Sequence, residues 1–85
     1  MNYNEHLTAH RRLTILILLA NAAAYTLHEQ ILKMQLAGNA EAVSSDSLRA
    51  DLQWLADLGL LVARLESGYW SATLTLRGND VAAGL

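Results

Sequence analysis

The sequence has no cysteine, no proline and no phenylalanine, and it is poor in basic side chains. Without cysteine there is no disulfide, thiol redox switch or thiolate metal site. Without phenylalanine the core must rest on Leu, Ile, Val, Ala and the two tryptophans. Six Lys and Arg stand against eight Asp and Glu, a formal net charge of −2. The chain thus lacks the general basic character that neutralises nucleic-acid phosphates. The apolar stretch 13–27 is shorter than the ~20 residues of a membrane span and is broken by Thr14, Asn21 and Thr26. No small-residue cleavage pattern follows His6, His10, Arg11 and Arg12, so no signal peptide is expected and the expected location is cytoplasmic. Nucleophile–base pairs, phosphate-binding glycine loops and carboxylate constellations are missing, which argues against an enzyme. No cofactor is implied.

What is present is ample apolar content, 53% of 85 residues, enough for one core and one domain spanning 1–85. The expected fold is α+β: mainly helical, with three helices, one two-stranded hairpin and a short C-terminal helix. The hairpin is the most specific part. With Ser67-Gly68 at the tip, Glu66 faces Tyr69, Leu65 faces Trp70 and Leu61 faces Leu74. Alternation then puts Leu61, Ala63, Leu65, Trp70, Ala72 and Leu74 on one face. Val62, Arg64, Glu66, Tyr69, Ser71 and Thr73 fall on the other. One register sorts both strands at once.

The helix before it carries Leu48, Leu52 and Leu55 at i, i+4 and i+7. Ser44 or Ser45 caps its start, and Gly59 lets the chain leave its end. After the hairpin, Thr75 caps a last helix through Val81 to Ala83, weakened by Gly78. Helix 1 is expected from about Glu5 to Ala24, apolar on two sides. Such a helix is central in the core or shared with a partner, and a homodimer through Ile15, Leu18 and Leu19 is expected. Helix 2 is expected over Thr26 to Ala37, with Thr26 and Glu29 as a capping box. Its inward stripe would be Leu27, Ile31 and Met34, with Leu32 and Leu36 partly buried. Tyr25 would pack as a staple, and the segment 1–4 would fray.

The pattern LRADLQWLADLGLL, then a hairpin, then LTLRG resembles winged-helix transcription regulators of the broad ArsR/MarR kind. From HLTAHRRLTILILLANA onward, nearly the whole chain is similar to small winged-helix-like proteins of Mu-like prophages. The resemblance implies a winged helix-turn-helix fold and a regulatory protein in a bacterial host. It implies duplex DNA as the partner, bound by helix 3 and the wing. The cysteine metal sensor of many ArsR-type regulators has no counterpart here. The link of residues 38–43 is longer than a tight helix-turn-helix turn.

For DNA, the candidates are Ser44, Ser45, Ser47, Arg49 and Gln53 on helix 3, with Arg64 and Tyr69 on the wing. Arg49 can read guanine or grip a phosphate. Arg11, Arg12 and Arg77 can add phosphate contacts. Asp46, Asp51 and Asp57 on the same helix oppose this. A second reading is therefore a module that binds a host or phage protein through an acidic helix 3 or wing, without DNA. His6 and His10 have metal-sharing spacing but no third ligand beside them, so no metal site is assigned.

Overall fold

The computed structural model describes residues 2–85. It is an α+β domain with four α-helices and a three-stranded antiparallel sheet. The elements run α1 (Tyr3–Ala20), a 3-10 turn (Ala23–Tyr25), β1 (Thr26–His28), α2 (Glu29–Gly38), α3 (Ser45–Asp57), β2 (Leu61–Glu66), β3 (Tyr69–Leu74) and α4 (Leu76–Ala82). The sheet order is β1-β3-β2.

α1 begins at Tyr3 behind the cap Asn2, inside the segment 1–4 expected to fray. The Asn2 side chain accepts from the Glu5 amide, and the Glu5 carboxylate accepts from the Asn2 amide. This reciprocal cap satisfies two otherwise orphaned donors. Met1 lies outside the described residues. The helix stops at Ala20 rather than Ala24. Ala24 and Tyr25 both take positive φ, 54° and 56°, which turns the chain into β1. Tyr25 is consequently exposed and does not act as a staple.

Thr26–His28, expected as the first turn of helix 2, is instead the edge strand β1. Thr26 pairs with Thr73 and His28 with Ser71. β-Branched Thr26 suits that role, and its hydroxyl meets that of Thr73 at 2.9 Å. The cap of α2 therefore moves to His28, whose Nδ1 accepts from the Gln30 amide. With the helix starting at Glu29, Leu32 and Leu36 turn fully inward, while Ile31 and Met34 face out.

α3 and the hairpin follow the sequence pattern. Ser44 Oγ accepts from the Ser47 amide, Leu48, Leu52 and Leu55 are buried, and Gly59 has φ 76°. The β2–β3 register pairs Leu61 with Leu74 and Glu66 with Tyr69. Ser67 and Gly68 both have positive φ, as a two-residue hairpin requires. The core gathers Ile15, Leu16 and Leu19 of α1 with Leu32, Leu36, Leu48, Leu52, Leu55, Leu60, Leu61, Ala72 and Leu74. Trp70 packs against it half-buried, while Leu65, beyond the helices near the hairpin tip, is exposed.

Two buried carboxylates lock the helices together. Asp51 of α3 accepts from Arg11 Nε at 2.5 Å and Arg12 Nε at 3.0 Å, joining α3 to α1. Arg12 also lies over the Trp54 ring, 4.0 Å from its centroid. Glu29 of α2 accepts from Arg49 of α3 and from the Trp70 backbone N–H of β3. A buried charge is tolerable only when paired and hydrogen-bonded in this way.

Candidate nucleic-acid interface

The open side of α3 is built from its first two turns. Leu48, Asp51, Leu52 and Leu55 point inward, which leaves Ser45, Ser47, Arg49, Ala50 and Gln53 at the surface. Ser44 is held as the helix cap. Ser45 Oγ accepts from Lys33 Nζ at 3.0 Å, so α2 brings one cation to the start of α3. Gln53 Nε2 donates to Asp57 Oδ1 one turn on, at 2.8 Å.

Arg49 is the centre of this face. Its Nε and Nη2 each donate to Glu29 at 2.8 Å, one to each carboxylate oxygen. The arrangement is bidentate, the geometry a guanidinium fork favours. Side-chain hydrogen bonding from Arg49 holds the Glu29 carboxyl below its ordinary value, against burial, with help from the Trp70 amide. The same contact raises the Arg49 guanidinium above its ordinary value. The Glu29 side chain is 5% exposed while that of Arg49 is 44% exposed, so the acid is inside and the base reaches out.

The structure separates the remaining candidates. Arg64 and Tyr69 alternate onto the sheet face opposite Ala63 and Trp70, the two sheet residues that line a cavity together with Arg49, Ala50 and Gln53 of α3. Tyr69 rests on His28 there, with ring centroids 4.9 Å apart. Arg49 and Arg64 thus do not share one sheet face. Arg11 and Arg12 are engaged by Asp51 rather than presented to a ligand. Among the described residues, Lys33, Arg64 and Arg77 are the cations with no carboxylate partner.

The expected dimer residues fall inside. Ile15 and Leu19 have no exposed surface, and Leu18 is partly buried against the core. Since α1 contacts α2, β3 and α4, two of its apolar sides are used within one chain. Its outward side carries Ala9, Leu13 and Ile17 at intervals of four. Beside that ridge, Leu13, Leu16, Trp54, Leu58, Leu60 and Val81 line an apolar groove of about 710 Å³ between α1, α3 and α4. Sequence reasoning put Leu13 and Ile17 in one of the two apolar stripes of helix 1 but assigned the dimer to the other, with Ile15, Leu18 and Leu19. It missed the two buried carboxylates because Glu29 and Asp51 look like any surface acid. The one available signal was that Asp51 sits between Leu48, Leu52 and Leu55 on the inward stripe.

Among the described residues, no group of three His or acidic side chains is placed to hold a metal ion. His10 Nδ1 instead meets Glu41 at 2.8 Å. No helix of the described residues is long and apolar enough to cross a membrane.

No family model matches the chain. No solved structure matches it. Two relatives do. An uncharacterized protein, gp26, of Escherichia phage Mu is 38% identical over 81 residues, covering 95% of this chain and 83% of that protein. An uncharacterized protein of Haemophilus influenzae (strain ATCC 51907 / DSM 11121 / KW20 / Rd) is 36% identical over 78 residues, covering 91% of this chain and 76% of that one. The chain belongs to the family of these two proteins, so the expected tie to Mu-type phage proteins holds.

Proposed function

We propose that this member of the phage Mu gp26 family is a winged-helix protein that binds duplex DNA and regulates transcription. The helix–strand–helix–helix–hairpin order supports the winged-helix reading. The observation that carries the DNA reading is the uncovered face of α3, where Ser45, Ser47, Arg49 and Gln53 stand at the surface beside Lys33. A helix exposed along its N-terminal turns can enter a major groove, with serines on phosphates and Arg49 at the base edges. The hairpin would lie along the backbone, with Arg64 of the edge strand on a phosphate. Two copies would pair through the α1 ridge. An antiparallel crossing about Leu13 sets Ala9 of one copy against Ile17 of the other, small against large.

The test is fluorescence anisotropy of labelled phage-genome fragments across a salt series. With Lys33 and Arg64 as the phosphate-facing cations, log K should fall with log salt at a slope of about −2 per copy, or about −4 for a dimer. Arg64→Ala should make the slope shallower by about 1. No binding at low salt would overturn the reading.

A second reading is favoured by charge. Asp46 and Asp57 on α3 and Glu66 at the hairpin tip are exposed, while Arg11, Arg12 and Arg49 are held by carboxylates. That balance suits a basic protein partner on the same face, and a pull-down with immobilised full-length chain, competed by salt, would reveal it.

A further inference from the structure

The geometry points to Arg49 as a guanine-reading residue, held in position by Glu29. The inference rests on the DNA reading above and names the base that the face would recognise. A guanidinium has five N–H donors in a fixed plane, arranged along two edges. The side-on edge, Nε and Nη2, is occupied by the two Glu29 oxygens at 2.8 Å each. The end-on edge consists of one N–H of Nη1 and the second N–H of Nη2. Among the described residues, no protein acceptor engages that edge.

An end-on fork matches the paired O6 and N7 acceptors of guanine in the major groove. Adenine offers a donor in place of O6, so it cannot take both bonds. Two features make this presentation selective. Glu29 is buried and anchored a second time by the Trp70 backbone N–H, so the buttress cannot swing away. The fork is thus oriented before DNA arrives, which lowers the ordering cost of recognition. Arg49 also sits in α3, the helix proposed to enter the groove, and its side chain is almost half exposed. A phosphate would accept the same two N–H groups, but it would carry no sequence preference. The experiment separates the two.

The full-length chain is first used to select binding sites from a random-sequence duplex library. Each guanine of the selected duplex is then replaced in turn by 7-deazaguanine, which deletes the N7 acceptor and leaves the protein untouched. A bidentate arginine–guanine pair discriminates against a wrong base by about 5- to 150-fold. One guanine per half-site should therefore respond, with a several-fold loss on deletion of N7 and a larger loss on replacement of the base pair by A·T. In Arg49→Met, which keeps an apolar stem of similar length but has no donor, that guanine should become insensitive to both changes. Duplex binding in which no guanine N7 matters would overturn the inference and leave the DNA reading standing. So would a guanine response that persists unchanged in Arg49→Met. Failure of the wild-type chain to bind any duplex at low salt would remove the reading and this inference together.

Discussion

Gly78 offers a test in which packing and helix propensity predict opposite signs. It lies in the first turn of α4 and is buried. Propensity alone says that Gly78→Ala should stabilise the helix by about 1 kcal/mol. The surroundings reverse this. A Cβ at Gly78 would overlap the Leu60 carbonyl oxygen outright and stand 2.7 Å from Leu74 Cδ1 and 2.9 Å from the Leu60 carbonyl carbon. Neither neighbour has room to yield. The Leu60 oxygen accepts the Thr75 amide at 3.2 Å at the base of the hairpin, and Leu74 belongs to the core. α4 would have to lift away from Leu60 and loosen its packing on α1. Overpacking of this kind costs about 1–3 kcal/mol, and more when backbone is the obstacle. Because the obstacle here is the Leu60 backbone, the upper end of that cost applies, and the net effect after the propensity gain is a loss of about 2 kcal/mol. For a domain of this length that lowers Tm by roughly 5–15 °C. Thermal melting by circular dichroism, with urea unfolding followed by tryptophan fluorescence, measures it. Asn79→Ala, at the exposed neighbouring position, serves as the control and should stay within about 0.5 kcal/mol of the parent. A Gly78→Ala variant that melts at or above the parent would refute the close seating of α4 on Leu60.

Three further outcomes follow from the buried acids and the α1 ridge. The Glu29 carboxyl is held below its ordinary value near 4.5, so its stabilisation is complete above that pH and is lost as pH falls through the lower folded value. Glu29→Gln should accordingly be less stable than the parent at pH 7, with the two urea midpoints converging in acid; parallel pH profiles would contradict the pairing. Asp51→Ala leaves Arg11 and Arg12 without their shared partner in a partly buried site, and should cost on the order of 3 kcal/mol by urea titration. A loss under about 1 kcal/mol would mean that Asp51 does not hold α1 to α3. Leu13→Glu, on the exposed ridge, should leave the circular dichroism spectrum unchanged and convert a sedimenting dimer to monomer. A parent chain that already sediments as a monomer would remove the proposed pairing.

The parts of this fold that were legible in the sequence are those set by local periodicity. The hairpin register could be read because alternation on two strands must agree about one turn, and Ser67-Gly68 supplies that turn. α3 could be read because its leucines, serine cap and terminal glycine all specify the same ends. β1 was not legible for the converse reason. Thr26-Leu27-His28 is too short to show a period, and Thr26 followed by Glu29 satisfies a capping pattern equally well. Pairing with β3, 47 residues away at Thr73, decides between the two, and no local window contains that partner. Its effect then spreads: starting α2 at Glu29 exchanges Ile31 and Met34 for Leu32 and Leu36 in the core.

The candidate site divides along the same line. Sequence spacing placed Arg49 on the outer side of α3, because the leucine stripe fixes the opposite side. It gave no account of what holds the guanidinium, since Glu29 lies 20 residues earlier on another helix. Yet that long-range pair determines what Arg49 can do. An arginine with both edges free is a mobile cation whose preference is for any phosphate. One whose side-on edge is held by a buried carboxylate keeps a single oriented pair of donors and, through partial neutralisation, has less attraction for phosphate in general. The acid that lowers the charge of this face therefore also raises the geometric selectivity of its central residue. On this argument, net charge alone is a poor guide to whether α3 reads DNA: weak non-specific binding and a marked response to one guanine should occur together. Strong, sequence-blind binding would contradict both parts of it.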